Sequence, residues 1–226
     1  MTTATQIISF LFNLNFTPAL PANVEVMQPF TNDETQRVCN IFYNKYYSDT
    51  QHRNFIIGIN PGRFGGGVTG IPFTDPIRLK IKLNIDNYWP TKQELSSVFI
   101  YDMIEAYGGA EAFYGEFYFT SLSPLGFTRH GKNLNYYDDK ELVKSIEPFA
   151  ATCMQQQLAW ARTSVAFCLG EGDNYKFINK FNNEYRFFKK IVPLAHPRFI
   201  MQYKLKSKQA YIDKYLEALT SYNDND

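Results

Sequence analysis

The chain has 226 residues, of which 45% are hydrophobic and 20% charged, enough apolar material for one large core. A formal net charge of +1 excludes a strongly basic polyelectrolyte binder, although local patches can still steer a charged ligand. No run of about 18 apolar residues exists, which excludes a helical membrane span, and the apolar stretch 7–12 lacks the length and basic flank of a secretory signal. We expect a single domain over residues 1–226, with 1–50 as a helical extension packed on it, in a cytoplasmic and monomeric protein. Cys39, Cys153 and Cys168 are odd in number and sit in apolar patterns, so buried free thiols are expected rather than a disulfide framework or a metal site.

In chain order, 3–13 suits a short amphipathic helix, and Pro18 and Pro21 mark the extended connector after it. Thr31 or Asn32 caps a helix through about Tyr46, with Val38, Ile41 and Phe42 at helical spacing. The apolar run 54–60 reads as a buried parallel strand, stopping at Asn60-Pro61-Gly62. Three consecutive glycines, Gly65, Gly66 and Gly67, then permit a wide turn that another molecule could approach closely, and Gly70-Ile71-Pro72-Phe73 closes the loop on an aromatic ring. Everything before this strand reads as packing.

Residues 75–88 are partly helix-compatible, and Ser96 or Ser97 caps a helix that stops at Gly108-Gly109. A short helix near 111–114 precedes a second strand over 117–122. Residues 138–160 suit two helices separated at Pro148. A third strand over 164–169 ends at Gly170-Glu171-Gly172, before a helix from about Asp173. The fourth, 190–194, ends at Ala195-His196-Pro197, before a helix over 207–222. Lys189, Lys190, Arg198, Lys204, Lys206 and Lys208 read as a solvated basic face, and Asn223-Asp224-Asn225-Asp226 as an acidic tail.

Four apolar runs alternating with helices predict an α/β protein of three layers, α/β/α, with a central four-stranded parallel sheet. Loops after the strands converge on one edge of such a sheet, so Asn60, Ser121, Gly170 and His196 should meet in one cleft. The glycine turn does not match G-x-G-x-x-G, Pro61 removes a backbone donor, and no G-K-[ST] follows, which argues against dinucleotide or triphosphate binding. G-x-S-x-G and H-E-x-x-H are absent as well. His52 and His130 lie in polar contexts, whereas His196 directly follows a buried strand.

The run 58–65, continued by Thr69-Gly70-Ile71-Pro72-Phe73, resembles the first motif of the single-strand-selective monofunctional uracil-DNA glycosylase family. His196-Pro197-Arg198 resembles its second motif, and Leu122-Ser123-Pro124-Leu125 with Gly131-Lys132-Asn133-Leu134 is similar to its middle segment; the bacterial branch, with an ending like 196–204, is nearer still. The resemblance covers roughly 43–203 and implies a bacterial DNA-repair hydrolase, acting without metal or cofactor, that flips uracil from DNA and hydrolyses its N-glycosidic bond. Activity on 5-modified uracils or other deaminated bases (xanthine, hypoxanthine) is an extension of the same expectation.

For catalysis, the resemblance implies that Asn60 positions the attacking water and His196 donates to the uracil O2. It assigns base contacts to Gly62, Phe64, Phe73 and Ser121, with Phe73 stacking on the base and Gly62 leaving space beside C5. DNA contacts fall to Gly65, Gly66, Ser123, Gly170, Pro197 and Arg198. Two positions depart from the family pattern: Ser121 stands where the family has asparagine, and Gly66 and Gly67 stand where it has bulkier residues. The chemistry fits the residue types independently, because bond cleavage puts negative charge on the base and a fixed donor there stabilises the transition state selectively. A non-catalytic nucleic-acid-binding module on the same fold, or a small-nucleotide binder, is the alternative at this point.

Overall fold

The computed structural model describes residues 1–222; the acidic segment 223–226 lies outside the described residues. The first half runs α1 (Thr3–Phe12), β1 (Val24–Met27), α2 (Asp33–Tyr46), β2 (Arg53–Gly58), α3 (Gly66–Thr69), α4 (Pro76–Leu83), α5 (Leu95–Tyr107) and α6 (Ala110–Glu116). The second half runs β3 (Phe117–Ser121), β4 (Gly126–Arg129), β5 (Lys132–Leu134), α7 (Lys140–Gln157), β6 (Ala161–Leu169), α8 (Asp173–Tyr185), β7 (Lys190–Leu194), α9 (Pro197–Tyr203) and α10 (Lys208–Thr220).

The expected parallel sheet is present, in the order β3-β2-β6-β7 with helices on both faces. Its register explains why the loops converge. Gly58 lies opposite Ser121, Ile57 opposite Cys168, and Leu169 opposite Leu194, so all four strands end in one row. Every residue of the central strand β2 is buried, as is every residue of β3 at the edge of the sheet. On one face Phe113 of α6 stacks on Phe117 and Phe119, with centroids 5.1 and 5.3 Å away. On the other, Tyr118 meets Trp160 edge-on at 5.8 Å, and Phe10 of α1 reaches the same indole. Arg53, wholly buried at the start of β2, donates to Tyr114 O, Gln51 O and Asp49 Oδ2, so each nitrogen of its guanidinium has an acceptor as the charge enters the core.

Three features depart from the sequence expectations. Pro148 does not divide two helices, because α7 continues through it. Leu142 and Ile146 before it, and Ala150 and Met154 after it, all bury on the same core, which outweighs one lost backbone bond. Residues 197–203, to which the sequence reading assigns no element, form α9, with Pro197 at the first helical position where a missing N–H costs nothing. Third, β1, β4 and β5 form a separate antiparallel sheet in the order β1-β4-β5. The N-terminal extension is therefore not only helical, since β1 pairs Val24 with Arg129 and Met27 with Gly126. The β4–β5 hairpin turns on His130 (φ 49) and Gly131 (φ 69), the left-handed pair that a two-residue hairpin needs.

All three cysteines are buried and free. No helix among the described residues is long and apolar enough to cross a membrane. Two of the basic residues near the C-terminus are engaged within the fold: Lys208 pairs with Asp102 at 2.8 Å and Lys190 donates to the Tyr222 hydroxyl at 2.6 Å.

Candidate active site

A cavity of about 470 Å³ opens at the row of strand ends and is lined by Asn60, Gly62, Gly66, Phe73, Ser121, Gly170, His196 and Arg198 among others. The four loop positions expected to converge do so. Asn60 is held by the edge of the small antiparallel sheet: its Oδ1 accepts from Tyr136 N–H at 3.0 Å and its Nδ2 donates to Leu134 O at 3.2 Å. These two bonds fix which way the amide points, and each amide group keeps a further site for a ligand. Behind them, the Tyr136 hydroxyl donates to Asn174 Oδ1 at 2.7 Å and Asn174 Nδ2 donates to Leu169 O at 2.9 Å, which ties Asn60's clamp to the end of β6.

Gly62 and Gly66 line the cavity, whereas Gly67 admits the protein itself rather than a visitor. A Cβ on Gly67 would come within 2.8 Å of Gly62 O and 2.9 Å of Met27 Cε, and one on Gly126 within 2.2 Å of Pro61 O. Met27 of β1 and Gly126 of β4 thus pack directly beneath the 60–67 loop, so the N-terminal segment does more than cover the core. Phe73 ends the loop in a left-handed conformation (φ 55), costly for an aromatic residue and typical of functional positions held by their surroundings. Thr69 supplies the hold, donating to Thr74 O at 2.7 Å and accepting from Ile71 N–H at 3.2 Å. The Phe73 ring lies over Gly58, where a Cβ would meet Cζ at 2.7 Å, and sits 6.4 Å from the His196 ring.

His196 N-caps α9: Arg198 N–H donates to Nδ1 at 3.1 Å. An acceptor nitrogen carries no proton, so the neutral ring holds its proton on Nε2. Burial, aided by the Arg198 charge, lowers its pKa to about 4, which keeps the imidazole neutral across the physiological range. The result is a fixed, uncharged N–H donor in the cavity wall.

Ser121 is buried at the end of β3 and faces the cavity beside Phe73 and Gly58. Gly170 (φ +119) joins β6 to β7 by donating to Leu194 O at 2.7 Å. Four expected contact residues do not line the cavity. Phe64 lies beneath the Arg63 and Lys92 cations at 4.6 and 5.2 Å. The wholly buried Ser123 spends its hydroxyl on Leu125, donating to its O at 2.8 Å and accepting from its N–H at 3.3 Å. Pro197 is buried in the first turn of α9, and Gly65 faces the Glu94 carboxyl.

Glu94, Asn133, Asn135 and Tyr203 also line the cavity and were not expected from the sequence. Neither Ser96 nor Ser97 caps α5, which starts after Glu94; Ser97 Oγ donates instead to Glu94 Oε2 at 3.3 Å. Desolvation, with help from nearby Asp75, pushes the Glu94 carboxyl up to about 7 against the opposing pulls of Ser97 and Arg198. The contact of Glu94 with Gly62 and Gly65 spans about thirty positions and leaves no local pattern. Asn133 stands in the stretch that resembles the family's middle segment, which assigned it no role.

Comparison with known proteins agrees with this geometry. The family model described as "Uracil DNA glycosylase superfamily" matches residues 45–220. The crystal structure of wild-type SMUG2 from Pedobacter heparinus superposes with a TM-score of 0.97 at 50% sequence identity, covering 100% of both chains. A search of curated proteins returned no match. With the match spanning most of its length, the chain belongs to the uracil DNA glycosylase superfamily, in the single-strand-selective monofunctional family, and is a hydrolase that cleaves the N-glycosidic bond of uracil in DNA.

Proposed function

We propose that Asn60 and His196 perform the hydrolysis, that Phe73, Ser121 and Gly62 hold the flipped base, and that the enzyme also removes uracils with polar substituents at C5. The observation that carries this reading is the neutral His196, with its backbone-accepting Nδ1 and its proton on Nε2 in the cavity wall. As the glycosidic bond breaks, negative charge gathers on the base, and an oriented N–H aimed at O2 gains strength as that charge develops. Asparagine cannot take a proton near neutral pH, so Asn60 orients water rather than activating it as a base. Such a role suits a reaction in which the leaving group departs first, and the clamp from Leu134 and Tyr136 supplies the required rigidity.

Base flipping costs a few kcal/mol, and stacking on Phe73 returns about 1–3 kcal/mol of it. Ser121 offers one hydroxyl to the base edge where an amide would offer a donor and an acceptor. Arg198, exposed at the cavity mouth, is suited to the space left by the flipped nucleotide. Space beside Gly67 is filled by Met27 and Gly62 O and does not enlarge the cavity, whereas Gly66 does line it.

The test is single-turnover excision by Asn60→Ala and His196→Ala. Each is expected to slow uracil release by about 10²-fold or more, the usual effect of losing one transition-state donor, while DNA binding persists. Full rate in both variants would remove these roles.

A further inference from the structure

Large apolar side chains left in solvent gather just beyond the His196 loop. Phe199 is 42% exposed, Tyr203 72% and Leu205 57%, an exposure that packing in the core does not explain. Phe199 and Tyr203 stand at i and i+4 on α9 and so share a face, with ring centroids 5.7 Å apart and planes tilted by 42°. The fold uses a different face of this helix. Ile200 is wholly buried where α9 packs on α5, and the two rings are left outside. Both rings nevertheless belong to the cavity lining, as does the exposed Gln202 between them. They form its mouth, whereas Phe73 lies over Gly58 at the strand ends.

The charges around these rings suit a nucleic-acid strand. Arg198, Lys204 and Lys206 flank them in sequence, are exposed, and form no ion pair among the described residues. Elsewhere in the lining, Glu171 and Asp173 are acidic and disfavour phosphate, which leaves α9 as the side on which a strand's backbone can lie. A second copy of this chain is disfavoured as the occupant, because an isologous contact through the rings would bring the three cations close to their own equivalents.

We propose that Phe199 and Tyr203 form a stacking platform for the unpaired base next to the flipped uracil, on one side of it along the strand. The proposal rests on the reading that uracil itself occupies the cavity. Every base has a π-face, so two rings hold a neighbour of any sequence while the flanking cations hold its phosphates. Both rings lie on one short helix and therefore serve one neighbour, not both. Neither touches the reacting atoms. They are positioning residues, and their loss weakens capture of the strand while leaving the rate at saturation in place.

The experiment measures single-turnover uracil release from single-stranded oligonucleotides in which the nucleotide just 5′ or just 3′ of the uracil carries a base or a base-free tetrahydrofuran spacer. The readout is the enzyme concentration giving half the maximal rate, for the wild type, Tyr203→Ala and Tyr203→Phe. In the wild type we expect a spacer on one side to raise that concentration about tenfold, the worth of stacking one base, and a spacer on the other side to change it less than about twofold. In Tyr203→Ala the sensitive side should respond less than about threefold, with the maximal rate kept, and Tyr203→Phe should behave as the wild type. Tyr203 is the exposed member of the pair, so its truncation leaves the fold intact. Insensitivity to a spacer on either side, equal sensitivity to both, or a one-sided response as large in Tyr203→Ala as in the wild type would overturn the platform. Failure of the wild type to release uracil would instead contradict the reading of the cavity itself, a separate result.

Discussion

His196 and Glu94 face one cavity and titrate in opposite directions under the same cause. Burial disfavours the charged form of each, which moves the imidazole down to about 4 and the carboxyl up to about 7. The consequences for stability have opposite signs. Between pH 6.5 and about 4 the unfolded chain protonates His196 and the folded chain does not, so this contribution is present above 6.5 and is lost as pH falls through about 4. Between about 7 and 4.5 the folded chain protonates Glu94 and the unfolded chain does not, so this contribution is present below 4.5 and is lost as pH rises through about 7. We therefore predict that Glu94→Gln makes stability fall more steeply on acidification from pH 7 to 4.5, and that His196→Gln makes it fall less steeply. Urea midpoints measured at several pH values check both; equal slopes in the wild type and both variants would contradict the burial of these groups.

At the scale of elements, the small antiparallel sheet is a support for the catalytic loop. Its β5 edge clamps Asn60 through Leu134 and the following Tyr136, and its β1 and β4 place Met27 and Gly126 under Pro61 and Gly67. Adding one methyl at Gly126 drives it to 2.2 Å from Pro61 O, a backbone atom that cannot rotate away. Gly126→Ala is expected to cost about 1–3 kcal/mol of stability and to slow excision by shifting Asn60. Thermal melts and single-turnover rates measure both effects, and an unchanged variant would show that the sheet does not support the loop.

This sheet was illegible in the sequence for a physical reason. Its strands are three or four residues long, too short for alternation to rise above chance, and β1 is separated from its partner β4 by about one hundred positions. The parallel strands were legible because burial on both faces makes each a compact apolar run ended by glycine, asparagine or proline. Pro148 misled because its local cost is real, while the compensation comes from tertiary packing on either side of it. Glu94 stands in a polar loop whose contact with Gly62 only the fold creates.

At the scale of the whole molecule, the parallel sheet aligns four strand ends, and the loops beyond them bring residues 60, 73, 121, 170 and 196 to one cavity. Of the site, Asn60, Phe73, Ser121, Gly170 and His196 could be placed from strand ends and motifs alone. The cavity's polar wall of Glu94 and Asn133 could not, because it depends on how a loop and a hairpin fold back over two glycines. The overall charge is only +1, so net charge adds little to attraction for DNA and local groups have to supply it. The most direct measurement is single-turnover incubation of the wild-type protein with oligonucleotides holding one uracil, single- and double-stranded. The account predicts release of free uracil, an intact strand that breaks only on later alkaline treatment, and no covalent protein–DNA adduct under reduction; no free uracil from either substrate would contradict it.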